Sequence, residues 1–130
     1  MSLSFAVLTT ALLFGGMTLY SFGFAGFLFT ALPADVAGTT LRRAFPMFYL
    51  FVMTTAALAA ALLWSHDPVS AGLMALVALT TLPSRQLLMP AINAATDSGQ
   101  RGRFKWLHSV SVVITLAHIV AAGYVLVRLV

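Results

Sequence analysis

From Leu3 to Leu32 the chain runs thirty residues without a charge. At about 1.5 Å per residue, a helix of that length is near 45 Å, against a hydrocarbon core of about 30 Å. The run predicts a membrane span, about 4–32, that must tilt, bend or protrude. Pro33 and Asp35 end it, and Arg42–Arg43 then mark a first loop. Apolar residues return over about 45–64, with Pro46 in the first turn, where its missing N–H would be unpaired anyway. Trp64 suits a membrane interface. Ser65–Pro68 is a tight connection, which makes spans two and three antiparallel neighbours. The third span is expected over about 69–92, kinked at Pro83 within a polar patch of Thr80, Thr81, Ser84, Arg85 and Gln86. Asp97-Ser98-Gly99 breaks the pattern, and a fourth span follows over about 106–129. The pattern predicts an all-α fold: one integral membrane domain, 1–130, built as an antiparallel four-helix bundle.

Composition agrees with this reading. The chain is 61% hydrophobic and only 8% charged, with a mean hydropathy of +1.00. Soluble domains average about a quarter charged residues, so no water-facing surface can be built from it. Charge then adds an orientation. Six of the seven basic residues lie in two islands, Arg42–Arg43 and Arg85–Lys105, and Lys and Arg in short loops stay on the cytoplasmic side. That places both islands inside, with Ser65–Pro68 and both termini extracytoplasmic, in a multi-pass protein of the cell inner membrane. The same layout explains the net charge of +4 through orientation and anionic headgroups, and argues against nucleic acid as a partner. Arg101, Arg103 and Lys105 oppose the dipole at the start of the fourth span. That term is under about 1 kcal/mol, while a basic residue inside the membrane costs about 2.5–3.5 kcal/mol. Met1–Phe5 lacks a basic n-region, so the first span is expected to be retained.

Two stripes carry further information. Along the first span Thr9, Gly16, Gly23 and Thr30 recur every seven residues, a seam of small and hydroxyl groups where another helix backbone can approach closely. Helix packing is its expected role, with an oligomer contact or a groove for a lipid or cofactor tail as the alternative. In the fourth span His108, Ser111, Thr115, His118 and Ala122 are spaced three, four, three, four, on one side of the helix. Such groups at bilayer depth face a bundle interior. They serve either as hydrogen-bonding glue between helices or as a polar track that moves protons or holds a metal, haem or polar ligand. Arg85, Asn93, His108, Ser111, Thr115 and His118 are the candidate polar pocket, with Arg85 and His108 paired beneath the Pro83 kink and His118 tied to a neighbouring helix.

Chemistry is constrained mostly by what is missing. There is no Cys, which removes disulfides, thiolate sites and thiol catalysis. His108 and His118 are about 15 Å apart along a helix axis and cannot share one metal or haem, and no metal site is expected. The six Met residues form no Met–His cluster. Asp35, Asp67 and Asp97 sit in three different loops, read as solvated, with pairing to Arg42, Arg43 or Arg85 open to Asp35 and Asp97. No catalytic constellation emerges, and no cofactor can be named.

Three stretches together resemble a known family. FGGMTLYSFGFAGFLFTALPADVAGTTLRRAFPMFY has a Gly-rich aromatic helix, a Leu-Pro loop and a Phe-Pro-x-x-Tyr entry formed by Phe45, Pro46 and Tyr49. SRQLLMPAINAA carries Arg85 and Pro90, and RFKWLHSVSVVITL carries Phe104, His108 and Ser111. In collinear order over most of the chain, these resemble the transmembrane protein 205-like family, found in bacteria as a domain of unknown function. The resemblance implies a four-span α-helical bundle, and its eukaryotic members are linked to platinum-drug resistance and vesicle trafficking. Pro83 and Thr115 stand where the family often carries Asn, so a ligand site built on those amides does not carry over. The expected function is that of a non-enzymatic accessory or assembly subunit of a larger inner-membrane complex, or of a homo-oligomer. The alternative is a small transporter or binding protein for a metal, haem or amphipathic compound. A small four-span transferase is disfavoured, because no Glu occurs anywhere.

Overall fold

The computed structural model describes residues 2–130. Lipid cannot hydrogen-bond a backbone, so a chain this apolar satisfies its amides within helices. Four helices long and apolar enough to cross a membrane result: α1 (Leu3–Ala31), α2 (Ala34–Leu63), α3 (Pro68–Asp97) and α4 (Arg101–Leu129). No strand occurs among the described residues. Short connections make neighbours antiparallel, and α1–α2, α2–α3, α3–α4 and α4–α1 pack in a ring.

Three helices start earlier than the hydrophobic pattern indicates. α2 begins at Ala34 rather than near 45, because Pro33 and Asp35 open a helix as well as closing one. Pro33 takes the N-cap position, its carbonyl accepts from Ala37 N–H at 2.9 Å, and Asp35 lies in the first turn. Arg42 and Arg43 are therefore helical rather than in a loop, and Pro46 is interior to α2. α3 begins at Pro68 and continues past 92 to Asp97. Gly99 then turns the chain with φ +70°, while Gln100 N–H reaches back to Ala95 O at 2.9 Å. α4 accordingly starts at Arg101 rather than 106.

Two helices contain a wide π-helical turn, Leu19–Phe24 in α1 and Ser84–Leu88 in α3. The second follows from Pro83, which has no N–H to return to the preceding turn. Thr81 and Ser84 hydroxyls donate to Val77 O and Thr80 O, at 2.7 and 3.1 Å, and give those carbonyls additional donors.

The packed core lies towards the end that carries Ser65–Asp67. Ala6, Thr10, Leu13 and Met17 of α1 meet Val52, Ala56, Ala59 and Leu63 of α2, Ala71, Met74 and Val77 of α3, and Ile119, Ala122 and Val125 of α4. The face of α1 that packs is thus offset from the heptad seam. Thr9 and Gly16 are half-buried at its edge, whereas Gly23 and Thr30 are exposed. A straight helix drifts about 20° per heptad, and the π-helical turn shifts the register again, so the seam rotates out of the bundle after Thr18.

Asp67 departs from the solvated reading, while the exposed Asp97 takes the pairing with Arg42 that the sequence left open. Arg42 donates to both oxygens of Asp97 at 2.7 and 2.8 Å, linking α2 to α3 at the basic end. At the opposite end Arg128 donates to Asp67 at 2.7 and 3.3 Å, and Ser70 Oγ donates at 2.6 Å. The Arg128 and Ser70 hydrogen bonds hold the Asp67 carboxyl well below the usual carboxylate range. A depressed folded-state pKa contributes stability above the unfolded value, about 3.9, and loses it as pH falls through the folded one. Asp67→Asn is therefore expected to lower the melting temperature at pH 7 by a few degrees and to match wild type once both are acidified well below pH 3. Thermal scans across that range check it.

Candidate functional site

Towards the basic end the bundle opens. The first part of α1 packs on both α2 and α4, but after Thr18 it follows α2. Leu28, Ala37 and Leu41 form a second small core there, with Phe24, Ala25 and Phe45 against it. The space released on the α4 side is a cavity of about 350 Å³ bounded by all four helices, at the lower end of the size range of small-molecule pockets.

Each wall follows from local sequence. On α2, Arg42, Phe45 and Tyr49 are spaced three and four and so share a face. On α3, Met89, Ile92 and Asn93 follow the π-helical turn, and on α4, His108, Ser111, Val112, Thr115 and Leu116 line the space. α1 contributes Ser21 and Phe22 from its own π-helical turn, then Ala25 and Phe29. Six of these residues are exposed: Arg42 and His108, and four apolar ones, Phe22 60%, Phe29 54%, Val112 43% and Leu116 41%. The apolar four belong to α1 and α4, so the cavity opens between those helices through an apolar rim, with Arg42 and His108 at its polar edge. Deeper in, Tyr49 is buried and bonded to Ser111 Oγ at 3.2 Å, while Asn93 and Thr115 are half-buried without a hydrogen-bond partner. The Ser21 hydroxyl is buried and also unpartnered. Leaving the buried Ser21 hydroxyl without a partner costs about 1–3 kcal/mol, and Asn93 and Thr115 have hydrogen-bonding capacity to spare, so this lining suits a visitor that carries its own polar atoms.

Asn93, His108, Ser111 and Thr115 are therefore brought together, but Arg85 and His118 are not. Arg85 donates to Pro46 O at 3.1 Å and to Gln86 Oε1 at 2.8 Å, a correction to its expected pairing with His108. His108 is exposed and stacks on Phe104, one helical turn away, with ring centroids 5.4 Å apart. His118 lies at a separate point, its Nε2 2.7 Å from Thr80 Oγ1. Thr80 also lies 2.7 Å from Leu76 O, which can only accept. The hydroxyl proton is thus committed there, and Nε2 of His118 donates. Among the described residues no three His, Asp or similar groups gather as a metal site would require.

Arg42, Tyr49 and Ser21 were not legible as site residues. Arg42 reads as a topology charge and Ser21 as one hydroxyl among aromatics. Tyr49 had a signal, since the 42–45–49 spacing places it on the same face as Arg42, two turns along, once α2 is known to start at Ala34.

Four apolar helices around a laterally open cavity define a small multi-pass α-helical membrane protein. The chain belongs to the family described as Domain of unknown function (DUF4149), whose pattern matches residues 8–101. The match covers α1 to α3, and the α4 wall of the cavity lies beyond it. Comparison with curated proteins and with solved structures gives no match.

Proposed function

We propose that this protein is a non-enzymatic binding protein that takes an amphipathic compound from the bilayer into the cavity between α1 and α4. The observation that carries this reading is the lining itself. Apolar side chains at the lipid-facing rim give way to unpartnered polar groups inside, as a molecule with a tail and a head requires. Its setting is the cell inner membrane, with the cavity in the cytoplasmic half and both termini outside, in line with six of the seven basic residues lying at one end. Reporter fusions after Val130 are expected to read as extracytoplasmic, and fusions near Gly99 as cytoplasmic. The likeness to the transmembrane protein 205-like family fits this architecture.

Native mass spectrometry after gentle extraction tests the proposal. A small amphiphile retained one-to-one is expected, and protein that is always empty contradicts it. A second reading, accessory subunit of a larger complex or of a homo-oligomer, is favoured by α4, the span least covered by the rest of the bundle. The same experiment would then show stoichiometric protein partners.

A further inference from the structure

The cavity lining also indicates what kind of head it receives, an inference that rests on the amphiphile reading above. No acidic residue lines the cavity, whereas Arg42 does. The surrounding end of the bundle carries Arg42, Arg43, Arg85, Arg101, Arg103 and Lys105 against Asp35 and Asp97 alone. A guanidinium has five N–H donors in a planar fork, and Arg42 directs one from each terminal nitrogen to Asp97, at 2.7 and 2.8 Å. Its other donors have no protein partner. The Arg42–Asp97 pair is itself a demonstration of the geometry, because a carboxylate already sits bidentate on this guanidinium beside the cavity. It is an exposed pair, with side chains 42% and 60% accessible, and such pairs are weak enough for another anion to compete. Tyr49, Asn93 and Ser111 add neutral hydrogen-bonding groups suited to an anion's oxygens.

We propose that the cavity selects amphiphiles with an anionic head, a carboxylate or a phosphate, that Arg42 anchors the head, and that Asp97 is the resident counter-ion it displaces. The tail leaves between Phe22 and Leu116 towards lipid. Two groups, Arg42 and Asp97, thus set head preference, while the apolar rim sets tail preference independently of charge.

The test uses the full chain in phosphatidylcholine nanodiscs and four twelve-carbon probes: dodecanoate, dodecyl phosphate, dodecanol and dodecyltrimethylammonium. Binding is measured against empty nanodiscs to subtract partitioning. At least one anionic probe is expected to bind about tenfold more tightly than dodecanol, the scale of a charge-assisted hydrogen bond, with the cationic probe weakest. Whether dodecanoate or dodecyl phosphate leads then distinguishes a fatty-acid source from a lipid phosphate. Arg42→Gln should remove the head preference, with a retained helical circular dichroism spectrum showing that the variant is folded. Arg42→Lys should keep part of the preference, and Asp97→Asn should tighten the anionic probes several-fold. Dodecanol binding as tightly as both anions, or a preference that survives Arg42→Gln, overturns the anionic assignment alone. If no probe binds, the cavity reading fails with it.

Discussion

Gly16→Leu is expected to be the most damaging single change in α1. A Cβ at Gly16 would lie 2.7 Å from both Cε1 and Cζ of the Phe51 ring, so even alanine forces that ring to move. Leucine must also displace Phe51 from its packing against the core. Overpacking of this kind costs about 1–3 kcal/mol, enough to lower the melting temperature in detergent clearly. Gly15→Leu enters open space, and Gly23→Leu meets only the side chain of Leu19, so both should remain close to wild type. Adding Phe51→Ala to Gly16→Leu should recover part of the loss. Equal melting temperatures for the three glycine variants would show that α1 and α2 do not cross at Gly16.

Filling the cavity has the second large effect, on binding rather than on stability. Thr115 lines the space, is half-buried and has no hydrogen-bond partner to lose. Thr115→Phe places a ring where an amphiphile would lie, and Ala25→Phe does the same from the opposite wall. Either change should reduce the retained amphiphile at least tenfold in native mass spectrometry. Thr115→Phe should leave the melting temperature unchanged or slightly raised, whereas Ala25→Phe should lower it, because Ala25 also packs on the Leu28–Ala37–Leu41 core. A phenylalanine variant that retains its amphiphile fully would place the ligand elsewhere on the bundle.

The four spans were legible because lipid leaves a backbone no alternative to helix, so a charge-free run is informative on its own. The helix ends were less so. Pro33 and Asp35 stop one helix and start the next, and the sequence alone does not show that only Leu32 and Pro33 separate them. The polar stripe of α4 was readable in part from its three–four spacing: Ser111, Thr115 and His118 are half-buried and Ala122 is buried, but His108 is exposed. The seam of α1 was readable only as far as Gly16. Beyond it the π-helical turn Leu19–Phe24 shifts the register, and unlike the turn after Pro83 it contains no proline to announce it. The cavity itself was out of reach of sequence periodicity. It exists because α1 leaves α4 after Thr18, and that divergence depends on how Phe24, Leu28, Ala37 and Leu41 pack together. Arg42 was missed for a related reason: a basic residue near a membrane edge is fully explained by topology until a helix is shown to run through it.

The central claim, a lateral opening between α1 and α4 that admits an amphiphile, is tested most directly by photolabelling in nanodiscs. A twelve-carbon alcohol bearing a diazirine on its chain is irradiated with the protein, and the modified residues are mapped by mass spectrometry. Saturable labelling concentrated on Phe22, Phe29, Val112 and Leu116, and lost in Thr115→Phe, is the predicted result. Labelling spread evenly over lipid-facing residues such as Leu8, Leu58 and Leu76, without saturation, would contradict it.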